Sequence, residues 1–247
     1  MTASSASEFS AQGCHVWRGG LREDEVSAVG ESIMKYFSHD LIDSALITDL
    51  RRHSHGLERV FDLQTALPEI SGLLVNSRLL CMAASLLKVE AVRVFYTQAI
   101  VKYPAQRPTD HTYGVVGWHK DFAYWLGARA PRMITAWIPF VDTSADLGGL
   151  HYVDGSHRDR GTVTKGFNNP DLGTLNEVER VISPELSIGD VAFHHCLTTH
   201  ASTPNKGAGP RLALAVHLLD VSLAPVNLAL CHQSLKFLEG SDPTLVH

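Results

Sequence analysis

None of the four cysteines, Cys14, Cys81, Cys196 and Cys231, stands in a Cys-x-x-Cys pair. The sequence therefore offers neither a zinc knuckle nor a disulfide framework, and buried free thiols in a reducing compartment are expected. No apolar run approaches the roughly 18 residues that a membrane-spanning helix needs. The small polar run Met1-Thr2-Ala3-Ser4-Ser5-Ala6-Ser7 lacks a basic stretch followed by an apolar one, so it reads as a frayed tail and not as a secretory signal. Positive charge is not in excess either. A formal net charge of -5 leaves no electrostatic footprint for nucleic acid. What is present is ordinary for a globular chain: 45% hydrophobic and 19% charged residues over 247 positions, enough for one substantial core. The expectation is a soluble, cytoplasmic protein of one domain spanning 1–247, with a small-molecule partner, no nucleic acid and no membrane; its oligomeric state is left open.

Two segments carry helical spacing. Over residues 21–37, Val26, Val29, Ile33, Met34 and Phe37 fall on one face, and Glu23, Asp24 and Glu25 occupy the first turn, where the helix dipole favours acids. A second helical stretch over 68–87 is interrupted near Asn76-Ser77. From Ala91 onwards the texture becomes β-branched and aromatic, and strands are predicted over 92–103, 133–140, 149–153, 190–196 and 211–219, separated by Gly, Pro, Asn and Asp clusters. A helical part at about 20–88 followed by an all-β part at about 90–220 predicts a mainly β fold with flanking helices, in which short strands and irregular connections favour a barrel or jelly roll. The irregular stretch 158–184 is long for a plain connection and is a candidate lid.

The chemistry centres on Gly117-Trp118-His119-Lys120-Asp121. On an extended strand His119 and Asp121 would project from the same face, so one metal ion could take both. A remote histidine such as His200 would complete two imidazoles and one carboxylate, which leaves three open positions on an octahedral ion. Strand parity also aligns Gln98 with Lys102, Thr135 with Trp137, and Arg211 with Ala213, Ala215 and His217. Charged groups on inward faces need partners, because burying an unpaired charge costs several kcal/mol; a bound anion would supply them. An outward-facing Lys102 is the plainer reading from parity alone. His194 and His195 point to opposite faces of one strand, so at most one faces the site, and packing or hydrogen bonding accounts for either.

The runs Gln98 to Pro104, Trp118 to Trp125, Gly149 to His157, Gly189 to His195, and His200-Ala201-Ser202-Thr203-Pro204-Asn205 followed by Arg211 stand in a fixed order. Taken together they resemble the phytanoyl-CoA dioxygenase family of Fe(II)/2-oxoglutarate oxygenases, which includes phytanoyl-CoA hydroxylase and ectoine hydroxylase. The resemblance implies a double-stranded β-helix (jelly-roll, cupin-like) core, with His119, Asp121 and His200 as catalytic metal ligands for Fe(II). It implies that 2-oxoglutarate is the cosubstrate and O2 the oxidant, and that Arg211 and Ser202 bind the distal carboxylate of 2-oxoglutarate. Gln98 and Lys102 match cosubstrate-binding positions, and Trp137 matches a pocket-lining tryptophan. Phe122, Tyr124 and Trp125, next to the metal strand, are candidates for the substrate-facing wall.

The chain departs from the family pattern at Asp154, where proline is usual, and at Ala201, where glycine is frequent. Ala213 replaces a serine found in many other 2-oxoglutarate enzymes, which leaves Ser202 as the hydroxyl donor. The run Trp125-Leu126-Gly127-Ala128-Arg129 lacks the acidic and aromatic sequence of ectoine hydroxylases, so ectoine is a poor candidate substrate. Asp121 fills the coordination position that a halide would need, which favours hydroxylation over halogenation. The same scaffold also supports desaturation, epimerisation and cyclisation. Two further readings are a zinc hydrolase, in which Arg211, Ser202 and Lys102 would lack a purpose, and a non-catalytic jelly-roll binding protein.

Overall fold

A computed structural model of the chain describes residues 3–38, 51–65, 67–75, 77–105, 111–124, 131–159 and 180–223. Trp125, Cys231 and most of the 158–184 stretch lie outside the described residues. Eleven strands among those described form two sheets. The larger comprises β1 (Cys14–Trp17), β9 (Val191–His195), β6 (Met133–Pro139), β11 (Arg211–Asp220), β4 (Val92–Lys102), β3 (Leu57–Phe61) and β2 (Arg51–Ser54), in that order. The smaller comprises β5 (Val116–His119), β10 (His200–Ser202), β7 (Leu150–Val153) and β8 (Val181–Ile182). All pairings within both sheets are antiparallel, and the fold is the expected jelly roll.

Alternation along the strands of the large sheet separates an oily back from a polar front. On β11, Leu212, Leu214, Val216 and Leu218 are at most 1% exposed and face a core shared with Ile134, Ala136 and Ile138 of β6 and Phe193 of β9. Three helices pack onto that core: α2 (Glu23–Ser38) through Val26, Val29 and Ile33, α3 (Pro68–Leu74) through Ile70 and Leu74, and α4 (Ser77–Leu87) through Leu79 and Ala83. Each fully buried aliphatic side chain contributes about 1.5–3 kcal/mol, which is what clamps the helices onto the sheet. Pro68 at the first position suits the start of α3, and the second helical stretch does break into two helices near residue 76.

The front face consists of cross-strand rows set by the register. Leu57, Lys102 and Arg211 form one row, and Arg59, Ile100 and Ala213 the next. Phe61, Gln98, Ala215 and Trp137 follow, and then His217, Thr135 and His194. These polar and small side chains look across at the small sheet, where Leu150 and Tyr152 join Trp137, Ala192, Ala213 and Ala215 in an inter-sheet cluster.

Some expectations need correction. The presumed frayed start forms α1 (Ala3–Gln12) from its third residue, because Phe9, 3% exposed, is drawn into the core, its ring tilted against that of His195 at 6.4 Å between centroids. The stretch 20–88 is not purely helical: β2 and β3 pair as a hairpin and add two strands to the large sheet. Cys14 and Cys196 are buried free thiols as expected, whereas Cys81 is exposed.

Candidate metal centre

β5 and β10 pair so that His119 and His200 stand directly opposite each other, with ring centroids 4.1 Å apart. The register comes first and the site follows from it. The Nδ1 of His119 donates to the Gly117 carbonyl at 2.8 Å, and that of His200 to the Thr198 carbonyl at 3.0 Å. A carbonyl can only accept, so both hydrogens sit on Nδ1 and both Nε2 lone pairs are left to face inward. Burial holds the pKa of both imidazoles below the usual histidine value, furthest for His200, which keeps them in the neutral form that binds metals.

Asp121 arrives by a different route from the one parity predicts. β5 ends at His119, and Asp121 opens a 3-10 turn (Asp121–Tyr124) in which Ala123 N–H donates to the Lys120 carbonyl and Phe122 N–H to that of Cys196. The turn swings the carboxylate beside the imidazoles: Asp121 Oδ1 lies 3.7 Å from the Nε2 of His119 and 3.7 Å from that of His200. The three donor atoms all lie within 4.8 Å of one another. Two donors bound at right angles and ~2.1 Å from one ion are about 3 Å apart, so a small inward shift closes this set around a metal. Two imidazoles and one carboxylate suit iron with open positions.

The second carboxylate oxygen is held by the protein. Asp121 Oδ2 accepts from Thr135 Oγ1 at 2.7 Å and from His194 Nε2 at 3.1 Å. Thr135 Oγ1 in turn meets His217 Nδ1 at 2.9 Å, and His217 Nε2 meets Gln98 Nε2 at 3.1 Å. Only one direction satisfies this chain: Gln98 donates to His217, His217 to Thr135, and Thr135 to Asp121. It requires a neutral His217, and burial pushes that imidazole down to about 4. Burial alone would raise the Asp121 carboxyl, but His200, His194 and His217 around it hold it well below the usual range, as a carboxylate. Thr135, His194 and His217 thus make up a supporting shell. From the sequence, parity aligns Thr135 with Trp137 and His217 with Arg211 and leaves open which of His194 and His195 faces the site, but it carries no signal for these contacts.

A pocket of about 540 Å³, counting its open mouth, joins this centre to Arg211 and Ser202. Arg211 is 3% exposed, lies over the Trp137 ring with its guanidinium carbon 5.2 Å from the ring centroid, and has no partner for Nε or Nη1. Burial lowers its pKa to about 10, so it stays charged at neutral pH. Unpaired donors on a buried guanidinium fit a carboxylate. Between Arg211 and His217 the inward residues of β11 are Ala213 and Ala215, and such small side chains leave a trough. Lys102 faces inward, contrary to the plainer reading: it is fully buried behind the pocket wall and donates to Ser202 Oγ at 2.7 Å and to the Thr203 carbonyl at 2.6 Å. Its stem runs past Gly148 (φ +72°), where a Cβ would come within 2.6 Å of Lys102 Cδ. Burial, with Arg211 nearby, lowers the Lys102 pKa well below 10.5.

Other predicted residues fall as follows. Gln98, Trp137 and Ser202 line the pocket, although the Gln98 amide nitrogen is spent on His217 and on the Tyr96 hydroxyl at 3.3 Å. Tyr124 is 42% exposed, with its ring 6.1 Å from that of His119. Phe122 is not brought into the pocket: it packs against a separate cluster containing Phe61, Phe95, Tyr96 and Met133. The 3-10 turn that delivers Asp121 rotates Phe122 away.

The sequence profile of the phytanoyl-CoA dioxygenase (PhyH) family matches residues 9–213. The chain belongs to this family. Among individual relatives, 1-deoxypentalenic acid 11-beta-hydroxylase of Streptomyces exfoliatus is 29% identical over 134 residues, and its Streptomyces arenae counterpart 28%; each match covers 49% of this chain and 46% of the relative. The match thus spans under half the length of these relatives. Solved structures similar to this dioxygenase-family chain include EctD from S. alaskensis with 2-oxoglutarate and 5-hydroxyectoine, at a TM-score of 0.74 and 21% identity, covering 94% of this chain and 84% of that one. The carbocyclase SnoK from nogalamycin biosynthesis superposes at 0.71 and 22%, covering 89% and 84%. The epimerase SnoN, in complex with Fe3+, alpha ketoglutarate and nogalamycin RO, superposes at 0.70 and 22%, covering 92% and 87%. At these identities the likeness establishes the fold.

Thr135→Val keeps the shape of the side chain and removes its hydrogen bond to Asp121. Anaerobic titration with Fe(II) should show affinity reduced by about 10- to 100-fold with an unchanged circular dichroism spectrum. Lys102→Met tests the buried ammonium. Because the folded pKa of Lys102 is depressed, the unfolded chain binds the extra proton below about pH 10.5, so the burial penalty grows as pH falls from that value. The stability of Lys102→Met relative to the parent, from urea unfolding without ligands, should therefore be most favourable at pH 7 and decline towards pH 10.

Proposed function

We propose that this chain is an Fe(II)- and 2-oxoglutarate-dependent dioxygenase that hydroxylates an unactivated C–H bond of a small metabolite in natural-product biosynthesis, with one catalytic domain. The observation that carries the reading is the coexistence, in one pocket, of the His119, Asp121 and His200 donors and the unpartnered buried guanidinium of Arg211. A metal site alone suits several reactions. A metal site facing a buried, unmatched cation at the end of an alanine-floored trough suits a bidentate acid with a second carboxylate.

In this reading His119, Asp121 and His200 hold Fe(II), and the trough takes 2-oxoglutarate. Arg211 pairs with the distal carboxylate, Ser202 donates its hydroxyl hydrogen to it while accepting from Lys102, and Trp137 fixes the plane of the guanidinium. Fe(II) with 2-oxoglutarate and O2 supplies the oxidising chemistry, which yields succinate, CO2 and a hydroxyl on the substrate carbon. The protein's own tasks are to orient the reacting C–H bond, to exclude water, and to keep Asp121 Oδ2 occupied by Thr135 and His194 so that Oδ1 alone faces the ion. Tyr124 and Trp125 are proposed for the substrate side of the pocket.

The reading draws support from a hydroxylase relative named for 1-deoxypentalenic acid, and from the jelly-roll neighbours of nogalamycin and ectoine chemistry. The carbocyclase and epimerase among them make cyclisation and epimerisation the second reading, since these outcomes use the same site. A zinc hydrolase would leave the Arg211 guanidinium unmatched. Among the described residues no single helix is long and apolar enough to cross a membrane. With Fe(II), the purified protein should convert 2-oxoglutarate to succinate only when O2 is present, and Arg211→Met should raise the KM for 2-oxoglutarate by at least about tenfold. Zinc-supported turnover without 2-oxoglutarate would contradict the proposal.

A further inference from the structure

The small sheet sets Tyr152 of β7 directly opposite His200 of β10, and their ring centroids lie 6.3 Å apart. The Tyr152 ring also meets that of His194, at 5.4 Å and a tilt of 45°. Tyr152 is 1% exposed and is not among the residues lining the pocket, so it serves neither solvent nor substrate contact. Two buried polar atoms in this pair have no hydrogen-bond partner: the Tyr152 hydroxyl and Nδ1 of His194. Their characters are complementary. His194 Nε2 donates to the Asp121 carboxylate, which can only accept, so the imidazole hydrogen sits on Nε2 and Nδ1 carries a lone pair. Phenylalanine would fill the place of Tyr152 without burying an unmatched hydroxyl, so packing alone does not account for the phenol. A proton donor without an acceptor thus stands beside a base without a donor, next to one metal ligand and tied to another.

The oxidant that O2 and 2-oxoglutarate generate in the site proposed above, a reading on which this inference rests, has no outlet when no substrate C–H bond is in place. The pocket wall offers it aliphatic C–H bonds on Leu57, Ile100, Val116 and Leu150, all stronger than a phenolic O–H. Trp137 is an oxidisable aromatic residue of the lining, but the Arg211 guanidinium lies over its ring, and a cation there opposes removal of an electron. We infer that Tyr152 is a redox-active residue that discharges this oxidant when turnover runs without substrate, with His194 as its proton acceptor. The phenolic O–H bond breaks in this step. Its electron goes to the high-valent iron, lowering the oxidation state by one, and its proton goes to Nδ1 of His194, directly or across one water molecule. A neutral phenoxyl radical on Tyr152 and an imidazolium on His194 result. The imidazolium keeps its Nε2–H on Asp121, so the new cation forms against an existing anion.

The test runs the protein without substrate. The Fe(II)–2-oxoglutarate protein, prepared without oxygen and checked by its metal-to-ligand charge-transfer band, is mixed with O2, frozen at intervals and read by electron paramagnetic resonance. The parent should give a tyrosyl signal that narrows when ring-deuterated tyrosine is incorporated. Tyr152→Phe should lose the signal, with the charge-transfer band and the circular dichroism spectrum unchanged, and peptide mass spectrometry should find oxidised pocket residues in its stead. His194→Gln keeps an N–H for Asp121 but has no base, and should lower the radical yield per succinate formed by about tenfold or more. The inference is overturned if the parent forms succinate without a tyrosyl signal, if the signal survives in Tyr152→Phe, or if His194→Gln leaves the yield per succinate unchanged. Failure of the underlying reading looks different: the parent would show no charge-transfer band before O2 is admitted.

Discussion

A carboxylate buried among imidazoles is the constraint around which this protein is arranged. Asp121 is 9% exposed, and a carboxylate withdrawn from water survives as an anion only where donors replace its hydration. Thr135 and His194 take one oxygen, and the other is turned towards the two histidines that face each other across β5 and β10. Because the donors come from the large sheet and the carboxylate from the turn that follows β5, the site exists only when the two sheets close on each other. Folding and assembly of the centre are therefore one event.

The division of labour between the faces of the large sheet follows from this. Its back carries the hydrophobic stabilisation, through β11, β6 and β9 against α2, α3 and α4. Its front carries the cost: Lys102, Arg211, His194, His217 and Thr135 are all buried. Such groups are tolerable because register aligns them into rows in which each finds a neighbour, as in the chain from Gln98 through His217 and Thr135 to Asp121. Two of them keep unsatisfied atoms: His194 at Nδ1, and Arg211 at both Nε and Nη1; only the second carries a charge there. An unmatched buried charge is expensive to keep, which makes it the clearest indication that a ligand completes this pocket.

Much of this was legible in the sequence, because period and parity carry it. The alternation along residues 211–217 set Arg211 and His217 on a face apart from the core, and the order of the family motifs marked His119, Asp121, His200 and Arg211; along 92–103 a register shift near Phe95 changes the phase, so that Val92 and Val94 enter the core although they share the parity of Gln98 and Lys102. Other parts were not legible, for identifiable reasons. The hairpin of β2 and β3 has the charges of Arg51, Arg52, Glu58 and Arg59 within its strands, which hides the usual apolar signal. Asp121 reaches the centre through a 3-10 turn, so parity gave the right residue by the wrong geometry, and the same turn removed Phe122 from the pocket. α1 depends on Phe9 finding a distant core, which no local propensity reports. The contacts of His194 and His217 with Asp121 are tertiary and have no linear signature.

The account stands on the claim that one ion and one dicarboxylate share this pocket in a fixed order. The most direct measurement is an anaerobic crystal structure with Fe(II) and 2-oxoglutarate, using anomalous scattering to locate the iron. The account predicts iron bound by the Nε2 atoms of His119 and His200 and one oxygen of Asp121, with the distal carboxylate of 2-oxoglutarate paired to Arg211 and within reach of Ser202. Iron away from these three residues, or a cosubstrate whose carboxylate leaves Arg211 unpaired, would contradict it.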